Sequence, residues 1–221
     1  MGIASTENDC AEVTERLSSI LPGKNLHDLA REYSVTVRKE GRLNKGWVGQ
    51  TLERVAGLNA GNAQRRDGID FELKSTSLVK RPSGWEPKET LKITQLNPQG
   101  VLTEDFSSSA LWEKMSSLIL VGCVHQSPTI CTALCVSYFA VSDKELYNAL
   151  LSFWQEIKLI LSLGEIADYT SQGSSGGYLQ LRPTGTGKTL SVCPVTGRRF
   201  QSLAFYATKR LVRHALYPLL P

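Results

Sequence analysis

The sequence lacks the features that mark membrane proteins, secreted proteins and triad-type hydrolases. No apolar run approaches the ~20 residues that a membrane-spanning helix needs, and the N-terminal segment is too polar to form the apolar centre of a secretory signal. The five cysteines are irregularly spaced, so they indicate neither a disulfide framework nor a four-ligand zinc site. The three histidines are too scattered to predict a catalytic triad. These absences predict a protein of a reducing cytoplasm, without membrane attachment, whose thiols are buried and inert.

Acidic residues are missing from the last part of the chain. Between Ser171 and Pro221 there are seven Lys and Arg residues and no Asp or Glu, although the whole chain has 25 basic and 21 acidic residues. A basic portion beside an acidic remainder is typical of a protein that binds a polyanion and holds cations elsewhere. A solvated basic surface without any partner would have the same composition, so both interpretations stay open.

What the chain does have is enough apolar sequence for a sizeable core. Its 221 residues, 41% hydrophobic and 21% charged, fit one ordinary domain or a domain with a small lobe, and exclude wholesale disorder. Hydrophobic periodicity predicts helices and strands in mixed order, which indicates an α/β fold with a mixed sheet. The predicted helices cover residues 6–21, 26–33, 45–58, 109–115, 144–163 and 204–217. The predicted strands cover residues 69–76, 91–96, 118–124, 132–139 and 178–182.

The segment from Asp67 to Lys74 has the clearest chemical pattern. Alternate residues of a strand point to the same side, so Glu72 and Lys74 share a face, and a turn at Gly68 can bring the Asp67 carboxylate toward Glu72. Two carboxylates can hold a hard divalent cation that activates a water, and a lysine can orient that water or stabilise a phosphate under attack. Asp70 lies on the same strand face and is a competing metal ligand. The pattern also fits a solvated strand face without any chemistry, because such a short motif is common.

Five segments are similar, in the same order, to those of one nuclease family. They are KGWVGQTLE (Lys45–Glu53), FELKS (Phe71–Ser75), SFWQEIKLILSLGEI (Ser152–Ile166), GGYLQLRP (Gly176–Pro183) and FYATKRLVRHAL (Phe205–Leu216). In these segments the chain resembles the MutH-like endonucleases, which include a mismatch-repair nicking enzyme and related type II restriction enzymes. The resemblance implies a restriction-endonuclease-like PD-(D/E)xK core, with a central mixed β-sheet flanked by helices. It implies a single domain over 1–221, with an N-terminal helical part (1–60), catalytic core strands (61–141) and a helix with a basic DNA-binding part (142–221).

The resemblance also implies which residues carry the chemistry. The implied catalytic residues are Glu53, Asp67, Glu72, Lys74 and Lys114. Asp67 and Glu72 would hold Mg²⁺, for which Mn²⁺ can substitute. Glu53 would bind the cation through water or orient Lys74, although an exposed helix residue paired with a neighbouring basic side chain is an alternative. Lys114 matches a further lysine near the family's active site.

DNA contacts are expected mainly from the basic part of the chain. The expected DNA-binding residues are Lys45, Arg182, Lys188, Arg198, Arg199, Tyr206 and Lys209. Bidentate arginine contacts with guanine are the commonest specific readout in the major groove. Tyr206 is similar to a family tyrosine that lies near the target adenine and helps to sense its methylation. Each basic residue, taken alone, also fits a solvated surface charge.

The segment TGTGKT at Thr184–Thr189 does not indicate nucleotide binding. A phosphate-binding P-loop needs a glycine five residues before Gly187, and that position is Arg182. Pro183 also interrupts the approach from the preceding strand. No nucleotide is therefore expected as a ligand.

Together these patterns predict a Mg²⁺-dependent, sequence-specific endonuclease acting on double-stranded DNA, associated with the nucleoid in the bacterial cytoplasm. The first hypothesis is a type II restriction enzyme that cuts a short palindrome, as a homodimer on DNA, and leaves 5′-phosphate ends. It is favoured by the PKETLKIT segment and by the four-residue spacer between Asp67 and Glu72, which is shorter than in the mismatch-repair enzyme. The alternative is a mismatch-repair nickase that cuts unmethylated GATC strands together with a MutL-type partner. A DNA-binding module that does not cleave is the hypothesis from another class.

Overall fold

The computed structural model describes residues 9–58, 67–68, 70–169, 177–185 and 189–216. The helices of these ranges are α1 (Cys10–Ile20), α2 (Leu26–Glu32), α3 (Trp47–Ala56), α4 (Pro98–Thr103), α5 (Ala110–Met115), α6 (Lys144–Ser162) and α7 (Lys209–Leu216). The strands are β1 (Arg38–Lys39), β2 (Arg42–Leu43), β3 (Glu72–Arg81), β4 (Gly84–Pro87), β5 (Leu91–Gln95), β6 (Ser117–Ser127), β7 (Ile130–Ala140), β8 (Leu179–Pro183), β9 (Leu190–Val192), β10 (Arg199–Gln201) and β11 (Leu203–Ala207). None of the helices in the described ranges is long and apolar enough to span a membrane.

The chain folds into two compact units. Unit 1 comprises Met1–Lys88, Ser117–Phe139 and Ala215–Pro221, and unit 2 comprises Glu89–Ser116 and Ala140–His214. Unit 1 contains the Asp67–Lys74 segment, and unit 2 contains most of the basic part of the chain. The division into a helical part, core strands and a basic part within one domain stays a prediction.

The main sheet of unit 1 has the order β4-β3-β6-β7. Strand β3 runs parallel to β6, with Glu72 opposite Leu118 and Lys74 opposite Leu120, and antiparallel to β4. The sheet is therefore mixed, and the predicted α/β class is confirmed. The strand predicted over 69–76 begins at Glu72 in the structure, while Ile69 lies outside the described residues.

The N-terminal helices of unit 1 cover one face of this sheet. Leu17 of α1, Leu26 of α2 and Leu52 of α3 join Phe71 and Leu73 in one buried core. The three helices match their predictions to within a few residues, because their apolar positions recur with helical spacing and form one stripe facing the core. Packing α3 on the sheet fixes the position of its remaining faces, one of which carries Glu53.

Unit 2 contains a three-stranded antiparallel sheet of order β5-β11-β8, with β11 in the centre. The long helix α6 packs on it, with the Phe153 and Phe205 rings 6.3 Å apart. The prediction of a helix over 204–217 is wrong in its first half, because residues Leu203–Ala207 form β11 and the helix begins at Lys209. The short apolar run LAFYA is compatible with both helical and strand periodicity. It forms a strand because it pairs with β5 on one side and β8 on the other.

Two short hairpins were not predicted from the sequence. Strands β1 and β2 pair around a turn with left-handed backbone at Glu40 (φ 51°) and Gly41 (φ 76°). Strands β9 and β10 form a second two-stranded ribbon, whose connection places Gly197 at φ 70°. Strands of two or three residues give too little alternation to be recognised in a sequence.

Candidate active site

The two faces of β3 carry different kinds of side chain. Phe71, just before the strand, and Leu73 lie in the apolar core of unit 1. Glu72 and Lys74 do not belong to that core, in agreement with the alternation of a strand. They are in direct contact, because Lys74 Nζ donates a hydrogen bond to Glu72 Oε1. The apolar pair thus anchors the segment, and the charged pair is presented on the other side.

Asp67 is held at the entrance of this strand by a tight turn. Its Oδ2 accepts a hydrogen bond from the Leu73 backbone N–H at 2.9 Å, and the Gly68 N–H donates to the Phe71 carbonyl oxygen at 3.0 Å. The ring of Phe71 packs directly on Gly68: a Cβ added to that glycine would lie 2.1 Å from Phe71 Cε1. The turn therefore fixes the Asp67 carboxylate beside the first residues of β3.

Glu72 is completely buried, which is an unusual position for a carboxylate. Removing a charge from water is costly unless the charge is paired and hydrogen-bonded. Lys74 supplies the opposite charge and keeps a quarter of its side chain exposed. A buried ion pair adds little net stability compared with apolar residues of the same volume. A role in catalysis therefore explains the buried Glu72–Lys74 pair better than a contribution to the stability of the fold.

Glu53, on α3, interacts electrostatically with this group. Burial raises the pKa of Glu53, and the negative charges of Asp67 and Glu72 raise it further, whereas Lys74 and Arg54 lower it. Three carboxylates and one ammonium are thus close enough to influence each other. The structure brings together four of the five implied catalytic residues.

Replacing Glu53 with glutamine is expected to stabilise the protein in a pH-dependent way. Because the pKa of Glu53 is raised on folding, the unfolded chain releases this proton more easily, and stability falls as pH rises through the pKa of the folded state. Glutamine carries no titrating proton, so Glu53→Gln should raise the Tm at pH 8, with a gain that vanishes near pH 4. Thermal unfolding in EDTA over this pH range measures it. Glu15→Gln, at an exposed position of α1, is the matched control, and an equal gain in both variants would contradict the proximity of the carboxylates.

Asp70, the competing acid, lies elsewhere. It lines a cavity of about 530 Å³ with Cys10 and Tyr138, and its charge contributes to raising the pKa of Cys10. Asp67, and not Asp70, is among the charges that shift the pKa of Glu53. The geometry therefore favours Asp67 as the acid that acts together with Glu72.

The donor set fits a hard divalent cation. Within the described ranges no group of three or more His, Cys, Asp or Glu side chains is arranged as a ready-made metal site. A small divalent cation does not need such a cage, because it keeps several waters and is bound through one or two carboxylates plus substrate phosphates. Asp67 and Glu72 provide these two carboxylates. A cation there would also neutralise the charges of Asp67 and Glu72, which together with burial raise the pKa of Glu53.

Two of the expected DNA-binding residues come together in unit 2. The Arg182 guanidinium lies 5.3 Å from the centre of the Tyr206 ring, within the range of a cation–π interaction. Its Nη1 also donates a hydrogen bond to Thr90 Oγ1 at 2.7 Å. Strands β8 and β11, which carry the two residues, are direct neighbours. The pair forms an ordered, partly exposed basic and aromatic surface.

The adjacent Arg198 and Arg199 differ in their surroundings. Arg198 makes a two-pronged ion pair with Asp168, with distances of 2.7 and 2.9 Å, and this contact lowers the pKa of Asp168. The guanidinium of Arg198 is therefore already occupied by a carboxylate. Arg199 lies at the start of β10 and is exposed. Sequence reasoning missed Asp168, although it stands just before the stretch without acidic residues.

The other expected residues are spread over the chain. Lys45 is exposed before α3, and Lys209 is exposed at the start of α7. Lys114 lies in α5 of unit 2, where it is buried. Lys188 lies outside the described residues. Their roles in catalysis and DNA binding stay predictions.

The five cysteines differ in their surroundings. All five are unbridged and buried, as expected. The Sγ of Cys131 lies 3.6 Å from Nε2 of His125. Burial raises the pKa of Cys135 and of Cys10, which makes these thiols poor nucleophiles, whereas a side-chain hydrogen bond with Cys123 lowers the pKa of Cys131.

Comparison with known proteins finds DNA mismatch repair proteins as relatives. The model of the family "DNA mismatch repair enzyme MutH" matches residues 57–145. The DNA mismatch repair protein MutH of Vibrio cholerae (serotype O1, strain O395) is 29% identical over 166 residues, which cover 74% of this chain and 73% of the Vibrio protein. The protein of the same name from Shewanella sp. (strain MR-4) is 25% identical over 177 residues, covering 78% and 77%, and that of Vibrio campbellii is 27% identical over 175 residues, covering 78% and 76%. Over about three quarters of its length, the chain is thus similar to DNA mismatch repair proteins named MutH.

The match to the MutH family model includes most of the candidate site. Asp67, Glu72, Lys74 and Lys114 fall within residues 57–145, while Glu53 and the basic part after Arg182 fall outside that range. The restriction-endonuclease-like fold of the MutH family agrees with the mixed sheet of unit 1. The region that is similar to the MutH family model thus includes the strand that carries the buried ion pair.

Proposed function

We propose that this chain is a MutH-type DNA endonuclease that binds double-stranded DNA and uses Mg²⁺, with Mn²⁺ as a substitute. It would hydrolyse a phosphodiester bond at a short sequence and leave a 5′-phosphate and a 3′-hydroxyl. The observation that carries the proposal is the contact between buried Glu72 and Lys74 on a strand whose entrance holds Asp67. The raised pKa of Glu53 supports it, because burial and then the nearby charges of Asp67 and Glu72 raise it.

The residues of this site suggest a division of labour. When bound by Asp67 and Glu72, a divalent cation would lower the pKa of a water and neutralise charge on the phosphate. The Lys74 ammonium has three N–H donors, one of which is engaged by Glu72 Oε1. The other two can hold the attacking water and a non-bridging phosphate oxygen. The water oxygen bonds to phosphorus as the P–O3′ bond breaks, the water proton passes to solvent, and O3′ takes up a proton from a second water.

The relatives favour one biological role over the other. The three relatives described above are named DNA mismatch repair protein MutH, which supports the nickase alternative better than the restriction enzyme of the first hypothesis. We therefore infer a strand-nicking role in DNA repair in the bacterial cytoplasm, at unmethylated GATC and with activation by a MutL-type partner. The restriction enzyme, acting as a homodimer on DNA, is the second candidate because of the four-residue spacer between Asp67 and Glu72.

A supercoiled plasmid assay tests the activity and the role together. The protein is incubated with plasmid, methylated or unmethylated at GATC, in Mg²⁺, Mn²⁺ or EDTA, with and without a MutL-type protein. We expect open-circular product from unmethylated plasmid in Mg²⁺ or Mn²⁺, none in EDTA, and faster nicking with the partner. Linear product without a partner would support the restriction role instead.

A binding measurement in Ca²⁺ separates these roles from a DNA-binding module that does not cleave. An endonuclease should bind the duplex in Ca²⁺ and cut it when Mg²⁺ or Mn²⁺ is added. Binding without any cleavage in either metal, on either plasmid, would contradict the proposed function. Glu72→Ala should reproduce that behaviour, because it removes a metal ligand and the partner of Lys74.

A further inference from the structure

The β9–β10 ribbon of unit 2 has one face on the protein and one face in solvent. Its register places Arg199 opposite Val192, Phe200 opposite Ser191, and Gln201 opposite Leu190. Directly opposed residues of antiparallel strands project from the same face. Phe200 is buried and Ser191 is half-buried, so these two face the protein.

The outer face of the ribbon combines aliphatic and polar side chains. Leu190 and Val192 are each 52% exposed, and Arg199 and Gln201 are exposed beside them. No hydrogen bond or ion pair formed within the described residues engages the side chains of Arg199 or Gln201. As far as the described residues go, their donors and acceptors can therefore face a ligand.

Hydrogen bonds fix the ribbon at both ends. Ser191 and Ser202 hydroxyls lie 2.9 Å apart, and the Ser202 N–H donates to the Thr189 carbonyl at 3.0 Å. At the other end, Arg198 is held by Asp168, and the Gly197 N–H donates to the Cys193 carbonyl at 2.9 Å. These contacts fix the backbone from which the outer side chains project, which reduces the entropy lost on binding.

The outer face matches the chemistry of base edges. A two-stranded ribbon fits the major groove, where arginine binds guanine O6 and N7, glutamine binds adenine N6 and N7, and aliphatic groups contact the thymine methyl. Arg199 and Gln201 lie two residues apart, about 7 Å along the strand, which corresponds to about two base-pair steps. The acid-free composition from Ser171 onward favours a polyanion as the partner.

We infer that the outer face of the β9–β10 ribbon contacts base edges in the DNA major groove. Arg199 and Gln201 are its specificity-determining residues, and Leu190 and Val192 contact thymine methyl groups. Arg198 is a positioning residue that holds the turn through Asp168. The inference rests on the proposed function, because it assumes that duplex DNA is the substrate.

Selection of bound duplexes from a randomised library, followed by sequencing, tests the ribbon. The wild type, Arg199→Ala, Arg199→Lys and Gln201→Ala are compared in Ca²⁺, where binding is measured without cleavage. Each alanine variant should lose about 5- to 100-fold of its preference at one base pair, with little change at the other positions. Arg199→Lys should lose nearly as much, because lysine keeps the charge but lacks the planar fork. Lys144→Ala, which removes an exposed charge from the start of α6, should keep the full preference.

Three results would overturn the inference. If Arg199→Lys binds with unchanged preference while Arg199→Ala weakens binding to all sequences equally, Arg199 contacts phosphate only. If none of the variants changes the profile, and Leu190→Ser with Val192→Ser abolishes self-association, the ribbon is a protein interface. If the wild type selects no sequence, the ribbon has no readout role. Failure of the proposed function is recognised separately, as absence of cleavage in Mg²⁺ and Mn²⁺ by a protein that still selects a sequence in Ca²⁺.

Discussion

Replacing Lys74 with methionine is expected to slow DNA cleavage by about 10²- to 10⁴-fold, the usual contribution of a positioned proton-transfer or charge-stabilising group. Lys74 donates a hydrogen bond to Glu72, and its charge lowers the pKa of Glu53. Methionine keeps the length of the side chain but removes every donor. Single-turnover cleavage in Mg²⁺, with binding measured in Ca²⁺, should show lost rate and retained affinity.

The design of this experiment separates chemistry from folding. Lys74→Met alone leaves Glu72 charged in a buried position, which lowers stability. The double variant Glu72→Gln with Lys74→Met removes both charges at nearly constant volume, so it should be as stable as the wild type or more stable, yet equally inactive. Because the two residues act as one unit, the double variant should be hardly slower than either single variant. Lys80→Ala, at an exposed position of the same strand, is the matched control; a comparable loss there, or a well-folded double variant that still cleaves, would contradict the proposed site.

Replacing Gly68 with alanine is expected to cost both stability and activity. The added Cβ would lie 2.1 Å from Phe71 Cε1, so either the ring or the turn must move. Overpacking of this kind destabilises by about 1–3 kcal/mol, and a shift of about 1 Å in a catalytic group can lower the rate about 10²-fold. Here the displaced group is the Asp67 carboxylate, which is hydrogen-bonded across the same turn.

The comparison for this variant is an alanine at a glycine that has room for it. A Cβ added to Gly49 of α3 meets no atom within 4 Å, so Gly49→Ala should stabilise by about 0.5–1 kcal/mol through helix propensity. Urea unfolding and single-turnover cleavage are measured for both variants. If Gly68→Ala leaves both unchanged, the turn does not position Asp67.

The helices and the central strands of unit 1 could be predicted because their periodicity is long and agrees with the packing. In α3, the apolar stripe that contains Trp47, Leu52 and Val55 is the buried face, and this leaves Glu53 to one side. On β3, the alternation of Phe71 and Leu73 with Glu72 and Lys74 is enough to predict which pair meets the core. A local pattern thus specified most of the geometry around the site.

Other features depend on contacts that no local pattern encodes. The strand Leu203–Ala207 is fixed by its two neighbours, β5 and β8, so its own residues were compatible with the predicted helix. The different roles of Arg198 and Arg199 depend on Asp168, thirty positions earlier in the sequence. The choice between Asp67 and Asp70 depends on a turn whose decisive contact is the Phe71 ring on Gly68.

The anchoring of Phe71 and Leu73 in the core has a consequence for how such a chain can change over generations. Inserting or deleting one residue between Phe71 and Lys74 would reverse the faces of one part of the strand relative to the other. Either the Lys74 ammonium would then face the apolar core or the Phe71 ring would leave it. Changes in length are therefore tolerable upstream of the strand and disruptive within it. Over evolution, the segment before this strand can therefore change in length far more freely than the strand itself.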